Sequence, residues 1–326
     1  MRLYCSEING LVKYYTGLVT KAEYWCIIMT IETYGGIIMN NYQIVTDSAC
    51  DLGLELLSEL NVRSVSLTLK FDGEETELKN DDIIAKDFYD KMRAGGVAKT
   101  SAVNVDGFKT VFEEILKEGK DILYLGFSSG LSTTYNSARL AAEELLEEYP
   151  YRKIIVIDSL AASAGFGMLV ALVAEKRDSG ATLEEAAEFA QNTVPHLVHW
   201  FTVDDLVYLK RGGRVSPAVA FVGGLLGIKP VLHVDDDGHL ISVSKVRGRA
   251  NAIKALADKF GETALDKTKG PVYISHADCI EDAQKLADMV EKEYGVKTDL
   301  IVNVGPVIGA HSGPGTLAFF FLGTPR

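Results

Sequence analysis

The sequence ILYLGFSSGLS, which spans Ile122–Ser132, contains the unit from which the fold is built. Its first residues, Ile122–Gly126, are mostly apolar and predict a buried β-strand. A helical pattern follows over Ser132–Glu148, and a short loop of serines and glycine connects the two. A buried strand that leads through a small polar loop into a helix is the repeating unit of α/β folds.

The same alternation of apolar runs and helical patterns continues along the chain from residue 43. Strands are predicted at Gln43–Thr46, Val65–Leu69, Ile122–Gly126, Ile154–Ile157, Val198–Val203, Pro230–Val234, Leu240–Val246, Val272–Ser275, Leu300–Val304 and Leu317–Leu322. Helices are predicted at Leu52–Leu60, Ile83–Arg93, Val105–Glu118, Ser132–Glu148, Ala161–Ser179, Leu183–Thr193, Arg249–Phe260 and Ile280–Tyr294. This order predicts an α/β fold with parallel sheet.

Local signals refine the pattern. Thr182 followed by Glu185 predicts a capping box at a helix start. The segment Asp235–Gly238 lies between two predicted strands and predicts a hairpin turn rather than a metal site. The pattern loosens at residues 195–200, which places a domain boundary there. We therefore expect two α/β domains, residues 39–197 and 198–326.

The first 38 residues do not share this pattern. They hold Cys5, Cys26 and several tyrosines without a clean hydrophobic period. The Gly-Gly pair at 35–36 can be encoded by a purine-rich ribosome-binding sequence, and the codons of Ile37 and Ile38 give a spacer of about the usual length before Met39. Residues 1–38 are therefore expected to be a mis-translated leader or a disordered extension, with Met39 as the native start.

Charge and composition exclude several function classes. The chain has 326 residues, with 33 Lys and Arg against 45 Asp and Glu, for a net charge of −12. This acidic balance argues against non-specific nucleic-acid binding and against docking on anionic lipid by charge alone. The apolar stretch Leu160–Ala174 is too short to cross a bilayer, so no integral membrane segment is expected.

The cysteines indicate a reducing compartment. Cys5, Cys26, Cys50 and Cys279 include no C-x-x-C pair, and no secretory signal precedes them. We expect free thiols, no zinc or other metal site, and a cytoplasmic location.

Small polar residues follow several predicted strands. Ser128 and Ser129 follow one, and His276 ends another, while Thr100 and Ser101 lie on a loop. Ligands of open parallel sheets bind at the carboxyl ends of the strands, so a site rich in hydroxyl groups is expected there. Helix capping is the alternative role for such residues, and for Asp47 it is the favoured one.

Motifs for nucleotide binding and for a hydrolase nucleophile elbow do not occur in the sequence. A serine acyl hydrolase that uses Ser129 and His276, with Asp158 as the third member, stays open as an alternative. Basic residues gather in two places, Lys210–Arg214 and Lys245–Arg249. Each is either a solvated loop or a docking surface for an acidic or phosphate-bearing partner.

Taken in order, these motifs resemble the DegV family of bacterial fatty-acid-binding proteins, the FakB-type carriers. The resemblance covers residues 42–323 and depends on eight motifs, each weak alone. They are Val45–Ser48, Lys99–Ser101, Ser128–Ser132, Asp205–Arg214, Ile228–Pro230, Lys245–Arg247, Ser275–Asp278 and Gly309–Gly315. One position departs from the family pattern, since Thr133 stands where a glycine is usual.

The resemblance implies two α/β domains with a lipid-binding tunnel between them and no catalytic residues. One long-chain fatty acid, such as palmitate or oleate, would be the ligand, and no cofactor would be needed. The resemblance implies that the carboxylate is held by Thr100 and by Ser129 or Ser128, with His276 close by. Ser101 and His311 are further candidates for the same region.

The resemblance also implies a partner, a fatty-acid kinase that converts the presented carboxylate into an acyl phosphate for phospholipid synthesis. Arg211 and Arg214 are the candidate docking residues for this kinase. Since both are expected at the surface, Arg214→Glu is expected to leave fatty-acid affinity unchanged and to weaken the encounter with the kinase. A subunit with kinase activity of its own is a third reading, which the missing phosphate loop makes less favoured.

Overall fold

The first strand, β1 (Tyr42–Asp47), is buried along its whole length, as its apolar sequence predicts. In this computed structural model, residues 41–215 and 227–324 are described. The expected leader, residues 1–38, lies outside them. From Tyr42 onward the chain forms a single unit by its contacts.

A parallel sheet surrounds β1. Its strand order is β2-β1-β6-β7, and all three pairings are parallel. The other strands are β2 (Val62–Val65), β6 (Asp121–Gly126) and β7 (Ile154–Asp158). The helices that connect or cover them are α1 (Gly53–Glu59), α3 (Val105–Lys117), α4 (Thr134–Glu148), α5 (Ser163–Asp178) and α6 (Leu183–Thr193). Helices around a parallel sheet bury its strands, which explains their continuous apolar runs.

A small antiparallel sheet branches from this unit in the order β4-β3-β5. It consists of β3 (Thr68–Phe71), β4 (Leu78–Lys79) and β5 (Ala98–Ser101), with α2 (Ala85–Arg93) before β5. The predicted strand Val65–Leu69 is wrong, because the chain changes sheets within it. Leu67 lies between β2 and β3, and its N–H donates to Ser48 Oγ at 2.9 Å instead of to a strand.

The second large sheet has the order β10-β9-β8-β13-β11-β12. Its strands are β8 (Leu197–Thr202), β9 (Ile228–Val234), β10 (Leu240–Arg247), β11 (Val272–His276), β12 (Leu300–Asn303) and β13 (Leu317–Leu322). Only the β11–β12 pairing is parallel, so the prediction of parallel sheet applies to this half of the chain at that pair alone. The helices in this half of the chain are α7 (Val207–Gly212), α8 (Arg249–Thr263), α9 (Ile280–Tyr294) and α10 (Pro306–Ser312).

Several local predictions are confirmed. The bounds of α6 and α9 agree with the sequence, and Thr182 and Glu185 form the capping box. The β9–β10 hairpin turns at Asp235–Gly238, with Gly238 at a φ of 77°. The strands of the six-stranded sheet come from residues 197–322, and the domain boundary at 197–198 stays a prediction.

Side chains of the six-stranded sheet alternate between two faces, because successive residues of a strand point to opposite sides. On one face Phe319 and Phe321 pack against Phe260 of α8. On the other face His199 and Phe320 stand toward the rest of the chain and line an internal cavity. This alternation forms one wall of the candidate site.

Candidate functional site

The candidate site is a cavity of about 510 Å³ between the six-stranded sheet, the loop that follows β6, and α10. Much of its lining is apolar, including Phe201, Val234, Val307 and Phe320. The volume lies in the range of pockets that enclose a small organic ligand.

Two carboxylates hold the serine loop at the carboxyl end of the parallel sheet. Asp47 ends β1 and accepts hydrogen bonds from Phe127 N at 2.9 Å and from the Tyr124 hydroxyl at 2.7 Å. Complete burial raises the pKa of Asp47 to about 6. Asp158 ends β7 and accepts a hydrogen bond from Ser129 N at 3.2 Å. The capping role favoured for Asp47 is present, since it also accepts from Ala49 N.

The two serines of this loop have different surroundings. Ser129 is exposed and lines the cavity. Ser128 is fully buried, and its hydroxyl donates to Gly238 O at 2.9 Å. A Cβ atom on Gly238 would lie 2.2 Å from Ser128 Oγ, so the hairpin can approach the loop only with glycine there. The structure thus places Ser129 at the cavity and Ser128 in the contact that attaches the hairpin.

Thr100 and His311 meet at the cavity although 211 positions separate them. Thr100 Oγ1 lies 2.8 Å from His311 Nε2, and both side chains are half-buried in the lining. Asn80 fixes the start of α10, because its Oδ1 accepts from Val307 N at 2.8 Å. Burial and the nearby charge of Arg214 lower the pKa of His311 to about 4, so the imidazole is neutral at pH 7.

Two other candidate site residues lie elsewhere. Ser101 is exposed on β5 and is not among the cavity-lining residues, because strand alternation turns it away from Thr100. His276 is buried, and its Nδ1 accepts from Cys279 N at 3.3 Å, which shapes the turn before α9. The structure therefore brings Thr100, Ser129 and His311 together without His276, Ser101 or Ser128.

The two candidate docking residues also differ. Arg211 is exposed near the Tyr208 ring, with 5.7 Å from its guanidinium carbon to the ring centre. Arg214 is half-buried in the cavity lining, where its Nε donates to Leu131 O at 3.0 Å. Within residues 41–215 and 227–324, Arg214 forms no ion pair with a carboxylate. Its charge faces the same region as His311.

The basic residues of the second segment, Lys245–Arg249, also differ in their surroundings. Arg249 Nε lies 2.9 Å from Asp282 Oδ2, which ties the start of α8 to α9. Lys245 and Arg247 are exposed on β10, the edge strand of the six-stranded sheet.

A buried polar network that the sequence does not predict lies beside the cavity. Ser163 Oγ donates to Asp51 Oδ2 at 2.5 Å and lies 2.9 Å from Ser275 Oγ. Burial raises the pKa of Asp51 to about 7. Asp51 and Ser163 both have left-handed backbone, at φ 56° and 53°. Such conformations are rare for residues other than glycine, and they cluster at functional sites. Since the network depends on backbone angles and on contacts between distant residues, no sequence motif predicts it.

The glycines near the start of α5 serve packing. A Cβ on Gly165 would lie 2.4 Å from His199 Nε2 on the facing sheet. Close packing thus accounts for Gly165, while Ala162 and Ser163 line the cavity.

The described residues contain neither a candidate membrane span nor a candidate metal site. None of their helices is both long and apolar enough to cross a membrane. No cluster of His, Cys, Asp and Glu in residues 41–215 and 227–324 could hold a metal ion.

Comparison with known proteins gives consistent matches over nearly all of this part of the chain. Residues 41–324 match the family model described as "Uncharacterised protein, DegV family". A DegV domain-containing protein of Clostridium perfringens is 42% identical over 289 residues, which are 88% of this chain and 99% of the relative.

Solved structures show the same fold. A DegV family protein from Thermus thermophilus, described by its fatty-acid binding, is 31% identical, with a TM-score of 0.78 over 87% of this chain and 99% of the other. A stearic acid-binding protein from Eubacterium ventriosum is 29% identical, with a TM-score of 0.78 over 87% and 98%. The expected α/β fold is thus confirmed, while the division into two domains and a lipid tunnel between them stay predictions.

Proposed function

Since this chain belongs to the DegV family, we propose that it binds one long-chain fatty acid, such as palmitate or oleate, and presents the carboxylate to a separate fatty-acid kinase. The observation that carries this proposal is the form of the cavity. Apolar residues form much of the lining, and Thr100, Ser129, His311 and Arg214 add hydrogen-bonding side chains to it. An amphipathic ligand with one polar end fits that distribution of surface.

The acyl chain supplies most of the binding free energy in this proposal. Burial of about 14 methylene groups at roughly 0.8 kcal/mol each gives on the order of 11 kcal/mol before the costs of ordering the ligand. The head group then needs correct placement more than additional affinity.

The side chains at the polar end suit a carboxylate. We assign Thr100 and Ser129 as hydroxyl donors to its oxygens. If the neutral His311 carries its proton on Nε2, that proton is donated to Thr100 Oγ1 and leaves the Thr100 hydroxyl free to donate to the ligand. The half-buried guanidinium of Arg214 adds positive charge in the same region. Hydrogen bonds to a charged group contribute roughly 1.5–3 kcal/mol each.

The position of Ser129 supports presentation to a partner. Ser129 is exposed while most of the apolar lining is buried, so a carboxylate bound there would lie at the mouth of the cavity. A kinase could then reach the carboxylate oxygen without extraction of the chain. Because such a kinase uses ATP, the proposed location is the cytoplasm.

The hydrolase alternative has less support. It requires Ser129 and His276 to act on one substrate, but His276 does not belong to the cavity lining and accepts from Cys279 N. The carrier is proposed to have no catalytic residues, and the chemistry belongs to the kinase.

The test combines bound-ligand analysis with two variants. Native mass spectrometry of the purified protein, followed by lipid extraction, should reveal one fatty acid per chain. The double variant Thr100→Val, Ser129→Ala should weaken hexadecanoate binding by roughly tenfold or more and reduce acyl phosphate formation with the kinase and ATP. Ser101→Ala, on the outward side of the same strand, is the matched control. Unaltered binding and phosphorylation in the double variant would refute the head-group assignment.

A further inference from the structure

The last residue of α7, Gly212, lies directly against the imidazole ring of His311. A Cβ atom on Gly212 would stand 2.1 Å from His311 Nδ1, and the three atoms nearest to that position all belong to His311. A second contact joins the same two helices, because Tyr208 of α7 packs its ring on Gly313 at the end of α10. Arg214 Nη1 also donates to Gly212 O at 2.5 Å. Contacts made by residues on both sides of Gly212 in sequence thus hold it against the imidazole.

The backbone at position 212 does not require glycine. The next residue, Gly213, ends the helix with a φ of 71°, and this left-handed conformation explains the second glycine of the pair. Gly212 belongs to the helix and is not among the residues with positive φ. A glycine in a helix is less stable than an alanine there, because it loses more conformational freedom on folding. The contact with His311 therefore accounts for Gly212.

The same contact determines which nitrogen of His311 carries the proton. Nε2 lies 2.8 Å from Thr100 Oγ1, whereas Nδ1 is buried and has no hydrogen-bond partner in the described part of the chain, 41–215 and 227–324. A proton on Nδ1 would be a buried donor that points at the Cα of Gly212. Buried donors without an acceptor are rarer in folded proteins than buried acceptors without a donor. Nε2 therefore holds the proton and donates it to Thr100.

We propose that Gly212 is a positioning residue for the carboxylate site, because its Cα, which carries no side chain, holds His311 in the orientation and tautomer that donate to Thr100. The single hydroxyl proton of Thr100 is then left for a ligand oxygen. With the proton on Nδ1, Nε2 would accept from Thr100, and the hydroxyl could not donate to the carboxylate. Gly212 is not a cavity-lining residue, so it acts on the ligand through His311 and Thr100. This inference rests on the proposed function and adds a residue to it.

The first test is a double-variant cycle on the hexadecanoate affinity of delipidated protein. Gly212→Ala displaces the imidazole and should weaken binding roughly two- to tenfold, the factor of one neutral hydrogen bond. In the Thr100→Val background the same substitution should leave the affinity unchanged, because the group through which it acts is gone. Lys210→Ala, an exposed change on the same helix, is the control and should not alter the affinity. Equal weakening by Gly212→Ala in both backgrounds would overturn the inference, since Gly212 would then serve packing alone.

The second test observes the tautomer and needs no ligand. Two-bond hydrogen–nitrogen correlation spectra of isotope-labelled protein distinguish a proton on Nε2 from one on Nδ1, and His311→Ala identifies the signal. The wild type should show the Nε2 tautomer at pH 7, and Gly212→Ala should show a mixture of both. An Nδ1 tautomer in the wild type would overturn the inference without touching fatty-acid binding. A wild type that bound no fatty acid would instead refute the proposed function.

A third measurement applies if Gly212→Ala does not fold. The double variant Gly212→Ala, His311→Ala removes the ring that the new Cβ would meet. It should unfold at a denaturant concentration no lower than His311→Ala alone, because alanine is the better helix residue once the ring is absent. A double variant less stable than His311→Ala would show that another contact requires the glycine, and the inference would be wrong.

Discussion

At the scale of single residues, Asp51 shows how a buried carboxyl beside the cavity affects stability. It is enclosed with Ser163, and the charges of Asp47 and Asp81 add to the effect of burial in raising its pKa to about 7. A folded-state pKa above the unfolded value of 3.8 means that the folded protein binds the extra proton between these pH values. The free energy of unfolding therefore falls as pH rises through this window.

Asp51→Asn should remove this pH dependence. The amide keeps the shape and one acceptor oxygen but does not ionise. From pH 5 to pH 7 the wild type should lose about 2 kcal/mol that the variant keeps, since one pKa unit corresponds to about 1.4 kcal/mol and the folded carboxyl is half ionised at pH 7. Denaturant unfolding at several pH values measures the difference between the two proteins, from which the shared contribution of Asp47 cancels. Parallel curves for both proteins would show that Asp51 stays ionised.

At the scale of elements, the segment from α7 to Arg214 contains two arginines with different surroundings, although the sequence suggested the same docking role for both. Arg211 is exposed, and Arg214 turns into the cavity lining. The expectation that Arg214→Glu leaves fatty-acid affinity unchanged is therefore replaced. An acid at position 214 would place a half-buried negative charge near the ligand carboxylate.

The two arginines can be separated by experiment. Arg214→Glu should weaken hexadecanoate binding on the order of tenfold or more, because the charge is partly desolvated. Arg211→Glu should leave that affinity unchanged and slow association with the kinase, an effect that fades as salt rises. Fluorescent fatty-acid displacement and surface plasmon resonance at two salt concentrations report the two quantities. If both variants had wild-type fatty-acid affinity, the cavity role of Arg214 would be ruled out.

Elements were predictable from the sequence where local signals were complete. The helix α6 has a capping box and a regular apolar face, and its bounds were predicted to the residue. The strand prediction for Val65–Leu69 failed because the apolar pattern does not reveal that Leu67 hydrogen-bonds to Ser48 and leaves the strand. The prediction of parallel sheet failed at β8 and β13 for a similar reason. Whether two strands pair in parallel or antiparallel depends on contacts between segments that are distant in sequence.

The candidate site, like the helices and strands, could be predicted only where the signal is local in the sequence. Ser129 follows a strand as predicted, whereas the loop predicted for Thr100 and Ser101 is wrong, because both residues belong to β5 and pair with β3. The choice of His311 over His276 depends on α10, which Asn80 fixes from another part of the chain. The Asp51 network depends on positive φ angles that no residue type there requires.

At the scale of the whole molecule, the cavity walls come from segments far apart in sequence. Leu67, Thr100 and Ser129 line it together with Phe201, Val234 and Phe320. A ligand that contacts both groups binds the folded state alone, so occupancy and stability are linked by mass action.

Because the fold contains a cavity of about 510 Å³, the volume change on unfolding should depend on whether that cavity is filled. Unfolding removes internal voids, so hydrostatic pressure favours the unfolded state in proportion to the empty space that the fold contains. A bound acyl chain would fill that space with matter. Delipidated protein should therefore unfold at lower pressure than protein reloaded with hexadecanoate, and with a larger volume decrease. High-pressure tryptophan fluorescence gives both quantities, and the volume change separates filling from affinity, since mass action alone would raise the midpoint pressure without reducing the slope. Such a carrier would be most sensitive to pressure when empty, and the bound acyl chain would pack as part of its interior.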